Sequence, residues 1–271
     1  MTKFIDIVIQ EFYEVKINLK FEFLKIYRRN KMRNMMIIAI VIAELFYLIP
    51  VLSDSDFPEE SLAFVSNLMG SIGLMFVLFA SFLGADAINR EHTKGTDLLI
   101  YPLPQRRSNV IIAKYLSHLV TGWLGILLYY LLVIFHTRMI YGADSVPREM
   151  ATSFLVSMIY MTTILAFAFL VSSLINSTAT SVTITFFALL ILIPLLDVLL
   201  GVSNIDTGWM FTNYESLITG VLRLPSIGGG PFQTDLSEID FAQSIFHLIS
   251  QTIVFIVLFL FFGSRKEVGS Q

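Results

Sequence analysis

The sequence predicts an all-α polytopic membrane protein: six transmembrane helices, N-in/C-in, preceded by an amphipathic elbow helix. Three observations predict it. First, 55% of the 271 residues are hydrophobic and only 14% are charged, where soluble domains carry roughly a quarter charged. A charge at the bilayer centre costs about 2.5–3.5 kcal/mol even on insertion scales, so such a deficit fits a chain immersed in lipid. Second, six runs approach or exceed the roughly 20 apolar residues that a span needs. Third, the basic residues fall overwhelmingly on one side. With a cytoplasmic N-terminus, fifteen of the eighteen Lys and Arg lie inside and only Arg138, Arg148 and Arg223 outside. That asymmetry orients the chain.

In chain order, residues 1–34 form a charged lead. Phe12, Val15, Leu19, Phe23 and Ile26 recur at helical spacing, while residues 15–23 also alternate as a strand would. A lone strand beside a membrane has nothing to pair with. An amphipathic helix can bury its apolar face among headgroups and lay its lysines on anionic lipid. The helix is therefore preferred. A lead this long and charged before the first apolar run is not the order of a cleaved signal peptide, so it is expected to remain in the mature protein.

The spans follow at Met35–Leu52, Leu62–Ala85, Val110–Ile134, Met150–Leu174, Ala179–Leu200 and Phe246–Phe262, the last beginning as early as Phe241. Together residues 35–262 make one transmembrane domain, and residues 263–271 a cytoplasmic tail. Helices are required there because lipid offers no partner for an unpaired backbone. The first outer loop carries only acidic charges: Asp54, Asp56, Glu59 and Glu60. Loop 86–110 is cytoplasmic and strongly polar, and a segment of that kind between spans is expected to touch something in the cytoplasm. Spans four and five are joined by a very short connection around Asn176–Thr178. The outer loop 201–245 is long enough to be functional. Its aromatics, Trp209, Phe211 and Tyr214, suit short interfacial helices, one over Tyr214–Leu224, and Gly228–Pro231 provides a turn.

Much chemistry is excluded. With no cysteine there is no disulfide, no thiol catalysis and no Cys-based metal site. No phosphate-binding G-x-x-x-x-G-K-[ST] loop is present, nor H-E-x-x-H, nor a G-x-S-x-G elbow. The four histidines are scattered, so no metal site is expected, and His118 and His247 read as interfacial residues. A net charge of −3 gives no case for nucleic acid. Two carboxylates stand in apolar runs. Glu44 lies near the middle of span one. Asp197 lies near the outer end of span five, three residues after Pro194, which is expected to kink that helix. An intramembrane carboxylate is a functional hypothesis by default, here as part of a translocation path or gate. The bland readings are an inter-helix hydrogen bond for Glu44 and simple access to water for Asp197.

Loop 86–110 carries a recognisable pattern. Glu91, Gly95, Thr96, Leu98 and Leu99, Pro104, Arg107 and Lys114 resemble the loop after the second span of ABC-2-type permeases, the membrane subunits of ATP-binding-cassette exporters. That loop reads roughly E-x-x-x-G-T-x-x-L-x-x-x-x-P-x-x-R, with a lysine seven residues later. Pro102 and the doubled Arg106–Arg107 depart from it. The resemblance extends to the topology of the whole chain. It implies that residues 91–99 form a short coupling helix that docks a separate ATPase, with Gly95 permitting close approach, Pro102 and Pro104 turning the chain back, and Arg107 and Lys114 at the headgroup boundary. It also implies two permease copies, identical or homologous, with two ATPase subunits that hold the ATP and Mg. No cofactor is expected in this chain, which would be a transport subunit rather than an enzyme. It would sit in a prokaryotic plasma membrane and export a hydrophobic or amphipathic substrate. Three other readings remain: a gradient-driven secondary transporter, for which the sequence shows neither repeats nor paired broken helices; an intramembrane enzyme, for which Glu44 and Asp197 are too few polar groups; and a non-transporting immunity or sensor protein on the same fold.

Overall fold

A computed structural model of the chain describes residues 2–53, 57–89, 106–203, 207–222 and 241–265, with residues 2–9 described by backbone only. Every regular element among the described residues is helical. The lead is one helix, Thr2–Arg28, and six helices long and apolar enough to cross a membrane follow. They are Lys31–Leu52, Ser61–Gly84, Arg107–Tyr141, Met150–Leu174, Thr178–Val202 and Phe241–Arg265. Span six thus begins at the earlier of the two expected positions. Span three differs most from expectation. Its 35 residues extend roughly 50 Å at 1.5 Å per residue, well beyond the roughly 30 Å hydrocarbon layer.

Contacts define the two ends of the bundle. Lys31, at the start of span one, pairs with Asp86, just past the end of span two. Asn109, at the start of span three, donates to Glu14 of the lead helix at 3.0 Å, and Arg106 pairs with Glu11. These groups mark one end. At the other end the Tyr141 hydroxyl, closing span three, donates to the carbonyl of Pro58 between spans one and two.

Spans two, three and four form the core. Burial reaches 61% of the most apolar window of span four but only 17% of those of spans five and six. Polar side chains stitch the central helices together. Tyr130 bonds Ser153 and Ser157 at 2.8 Å, Trp123 donates to the Met158 carbonyl at 3.1 Å, and Thr163 meets Thr252 of span six at 2.7 Å. Each satisfies a group that lipid could not. Gly84 lets span two approach span four, since a Cβ there would lie 2.6 Å from the Ala168 Cβ.

Spans two and five are not uniform α-helices. Span two is interrupted at Gly70–Ser71, where Ser71 and Tyr129 hydroxyls both donate to the Leu68 carbonyl. It then ends in a π-helical turn, Ala80–Gly84. Span five contains a second π-helical turn, Ala188–Leu192, immediately before Pro194. Proline has no N–H to return to the preceding turn, and a wider turn there absorbs the mismatch. Both spans stay helical on either side of these irregularities. The connection between spans four and five is short, with Ser177 capping the fifth by accepting from the Thr180 N–H. Along span five, Ile184, Phe187, Ile191, Leu195 and Leu199 face outwards.

Candidate functional site

Two regions bring polar residues together within this apolar body. The first is the base from which loop 86–110 departs. The sequence forms it because charged residues cluster where three spans and the lead helix end. Val15, Leu19, Phe23 and Ile26 are half-buried or buried against the spans, whereas Phe12 points away and is 71% exposed. The lead's inward stripe therefore starts one turn later than its hydrophobic spacing suggests. Glu22 lies on the same inward side and bonds Lys25 at 3.2 Å. Lys31 reaches Asp86 and the Phe82 carbonyl. Asp86, Asn89, Lys114 and His118 are all buried.

Of the eight residues expected to dock a partner, Glu91, Gly95, Thr96, Leu98, Leu99 and Pro104 lie outside the described residues. Arg107 is half-buried at the start of span three. Lys114 is 1% exposed, and so belongs to the interior of the loop base rather than to a headgroup boundary. Seven residues of helix carry it two turns along span three from Arg107. His118 likewise is buried, not interfacial, with its Nδ1 2.8 Å from the Lys114 carbonyl. His247, in contrast, stacks on Tyr214.

The second region is a cavity of about 310 Å³ near the opposite end, where spans two, four and five meet the segment joining spans five and six. That segment folds as a 3-10 turn, Phe211–Tyr214, followed by a short helix, Glu215–Gly220. This is the interfacial helix expected from Tyr214 onwards, but it turns inward: Leu217 and Ile218 are buried, and Ser153 of span four donates to the Ile218 carbonyl at 2.7 Å. Residues 223–240, including the expected turn at Gly228–Pro231, lie outside the described residues.

Pro194 and Asp197 both line the cavity. Asp197 accepts a hydrogen bond from Asn213 at 3.2 Å. Glu44 is elsewhere. It lies 3.4 Å from His136 Nε2 of span three, and that ring stacks on Tyr47 at 4.1 Å. The structure thus places Glu44 in an inter-helix pair and brings only the other two residues together.

Sequence reading missed Glu215. Its carboxylate lies against Gly73 of span two, where a Cβ would come within 1.7 Å of Oε1, so the glycine makes the slot. Burial pushes the carboxyl up to about 7, because a charged group surrounded by protein loses its hydration. Its signal was weak: one acid in a long connecting loop rich in polar residues. Tyr160 and Thr212 also line the cavity. No basic side chain does so among the described residues, and no group of three or more His, Cys, Asp or Glu there is placed to hold a metal ion.

The family described as ABC-2 family transporter protein matches residues 5–263. No curated protein matches the chain. The match spans the lead helix, all six spans and both polar regions. This chain, a multi-pass membrane protein, belongs to the ABC-2 transporter family.

Proposed function

We propose that the chain is the membrane-spanning permease subunit of an ATP-binding-cassette exporter, coupled through loop 86–110 to a separate ATPase that binds ATP and Mg. The orientation is N-in/C-in in a prokaryotic plasma membrane, and a second permease copy or homologue completes the path. The lead helix acts as an elbow at the cytoplasmic surface. Glu91, Gly95, Thr96, Leu98, Leu99 and Pro104 form the docking element, and Arg107 leads it back into span three.

One observation supports this reading above the others. Both flanks of the loop are tied to the lead helix and to the starts or ends of spans one, two and three, through Lys31–Asp86, Asn109–Glu14 and Arg106–Glu11. A force applied to the loop would therefore reach four helices at once. An untethered loop would absorb it locally. Lys114 serves the base of the loop rather than the partner. Pro194 and Asp197, beside the π-helical turn of span five, are placed for a gate. The substrate is hydrophobic or amphipathic, in keeping with the largely apolar cavity wall. The work of transport is conformational, so no catalytic residue is assigned to this chain.

Co-purification tests the coupling. The ATPase encoded beside this chain is expected to co-purify in mild detergent with the wild type and to be lost from Gly95→Trp combined with Arg107→Glu, with the permease itself still folded. An ATPase absent from both preparations, beside an intact permease, would contradict the proposal and favour a gradient-driven or non-transporting protein.

A further inference from the structure

The cavity between spans two, four and five and the helix Glu215–Gly220 carries negative charge without a matching positive side chain among the described residues. Glu215 and Asp197 are both carboxylates, and the described lining contains no Lys or Arg. Asn213 engages Asp197. The Glu215 carboxylate makes no hydrogen bond to protein among the described residues. Tyr160 is 3% exposed, lines the cavity, and its hydroxyl has no hydrogen-bond partner among the described residues. Thr212 Oγ1 is buried and likewise unpaired. The half-buried Glu215 carboxylate and the buried Tyr160 thus line one space with hydrogen-bonding capacity unused, and Thr212 Oγ1 is enclosed in its wall. Buried polar groups in proteins are usually paired, and each exception asks for a missing partner.

The rest of the wall is apolar and aromatic. Ile72, Val77, Ile164 and Leu189 line it. Phe76 and Tyr160 meet edge to face with centroids 5.0 Å apart. A cavity of about 310 Å³ falls at the lower end of the range for small-molecule sites, about 300–1,000 Å³. Aromatic faces attract cations, and an uncompensated carboxylate in a poorly hydrated site does so more strongly than one in water. Gly73 bears directly on this design. Any side chain there would displace the Glu215 carboxylate from its slot.

We propose that this cavity is a binding site for an organic monocation with an apolar body, whose positive group is held by Glu215 with Asp197 and Tyr160 beside it. Its use in export rests on the permease reading above; the binding does not. The ligand's charge compensates the carboxylates, while its apolar body fills the side formed by spans two and four. A neutral molecule of the same shape would leave Glu215 without its counter-charge, and an anion would be repelled.

The test uses the full chain purified into nanodiscs, without ATPase, with empty nanodiscs subtracted. The probe is the fluorescent cation dimethylaminostyryl-N-methylpyridinium, and its uncharged parent pyridine at pH 8 is the control. Saturable binding of the cation is expected, at least tenfold tighter than that of the neutral parent. Glu215→Gln should abolish the preference while leaving the weak neutral binding unchanged. Tyr160→Phe, which keeps the ring, should weaken the cation severalfold. Other titratable groups facing Glu215 are Asp197 on span five and Tyr160 on span four. With its carboxyl at about 7, Glu215 is mostly neutral at pH 6 and mostly charged at pH 8. Cation affinity should therefore rise roughly tenfold between them in the wild type, as one ionising group dictates, and stay flat in Glu215→Gln. Equal affinity for the two probes, no saturable binding by folded wild type, or undiminished binding by Glu215→Gln would overturn the site. Cation binding by a permease that recruits no ATPase would retain the site and defeat only the export reading.

Discussion

At the scale of single residues, the acidic groups in the apolar body differ in how their charge is met. Glu44 has His136 at 3.4 Å. Asp86 has Lys31, with both side chains largely buried. Glu215 has no basic residue near it among the cavity-lining residues described. Breaking a buried ion pair by removing one partner typically costs about 3–5 kcal/mol, because the other charge stays buried and unmatched. Asp86→Ala is therefore expected to lower thermal stability in detergent markedly, and Lys31→Met with Asp86→Leu to recover most of the loss. If the single variant melts with the wild type, the pair does not hold the loop base. The sequence exposed Glu44 and Asp197 because each interrupts an apolar run. Glu215 was hidden because its environment is made by Gly73, far away in the chain, and no local pattern carries that contact. Lys114 was visible as a motif residue, but its burial is a property of the packed bundle that no local pattern carries.

At the scale of elements, hydropathy located all six spans, since length and apolar content decide whether a helix can cross lipid. It placed the ends of spans three and six less well. Helical hydrogen bonding continues past the last apolar residue, so span three runs on from Ile134 through His136 and Arg138 to Tyr141. The lead's strand-like alternation lost to its helical periodicity, and the structure is helical throughout Thr2–Arg28. Pro194 announced an irregularity in span five, and the π-helical turn at Ala188–Leu192 is its form. The matching turn at Ala80–Gly84 in span two had no proline to announce it. Packing between spans two and four hinges on Gly84. Gly84→Val would set a Cβ against Ala168 and Leu165 and is expected to destabilise the protein by about 1–3 kcal/mol, the usual cost of overfilling a packed core. Thermal unfolding monitored by size-exclusion chromatography would show it. An unchanged transition would mean that the two spans separate without cost.

At the scale of the whole molecule, the polar regions sit at opposite ends of the bundle: a tethered loop base at one, a carboxylate-lined cavity at the other. Spans two, three and four connect them as a packed core, and span five borders the cavity with a π-helical turn just before Pro194. Such an arrangement suits a device pushed at one end that opens at the other. Under the proposed function, the loop end, and not the cavity end, meets the ATPase. Site-specific photo-crosslinking in cells tests this most directly, with benzoylphenylalanine placed at Leu98 in the loop or at Trp209, exposed in the segment joining spans five and six. A covalent adduct with the ATPase is expected from position 98 and none from position 209. An adduct from position 209, or none from position 98 in a protein that reaches the membrane intact, would contradict it.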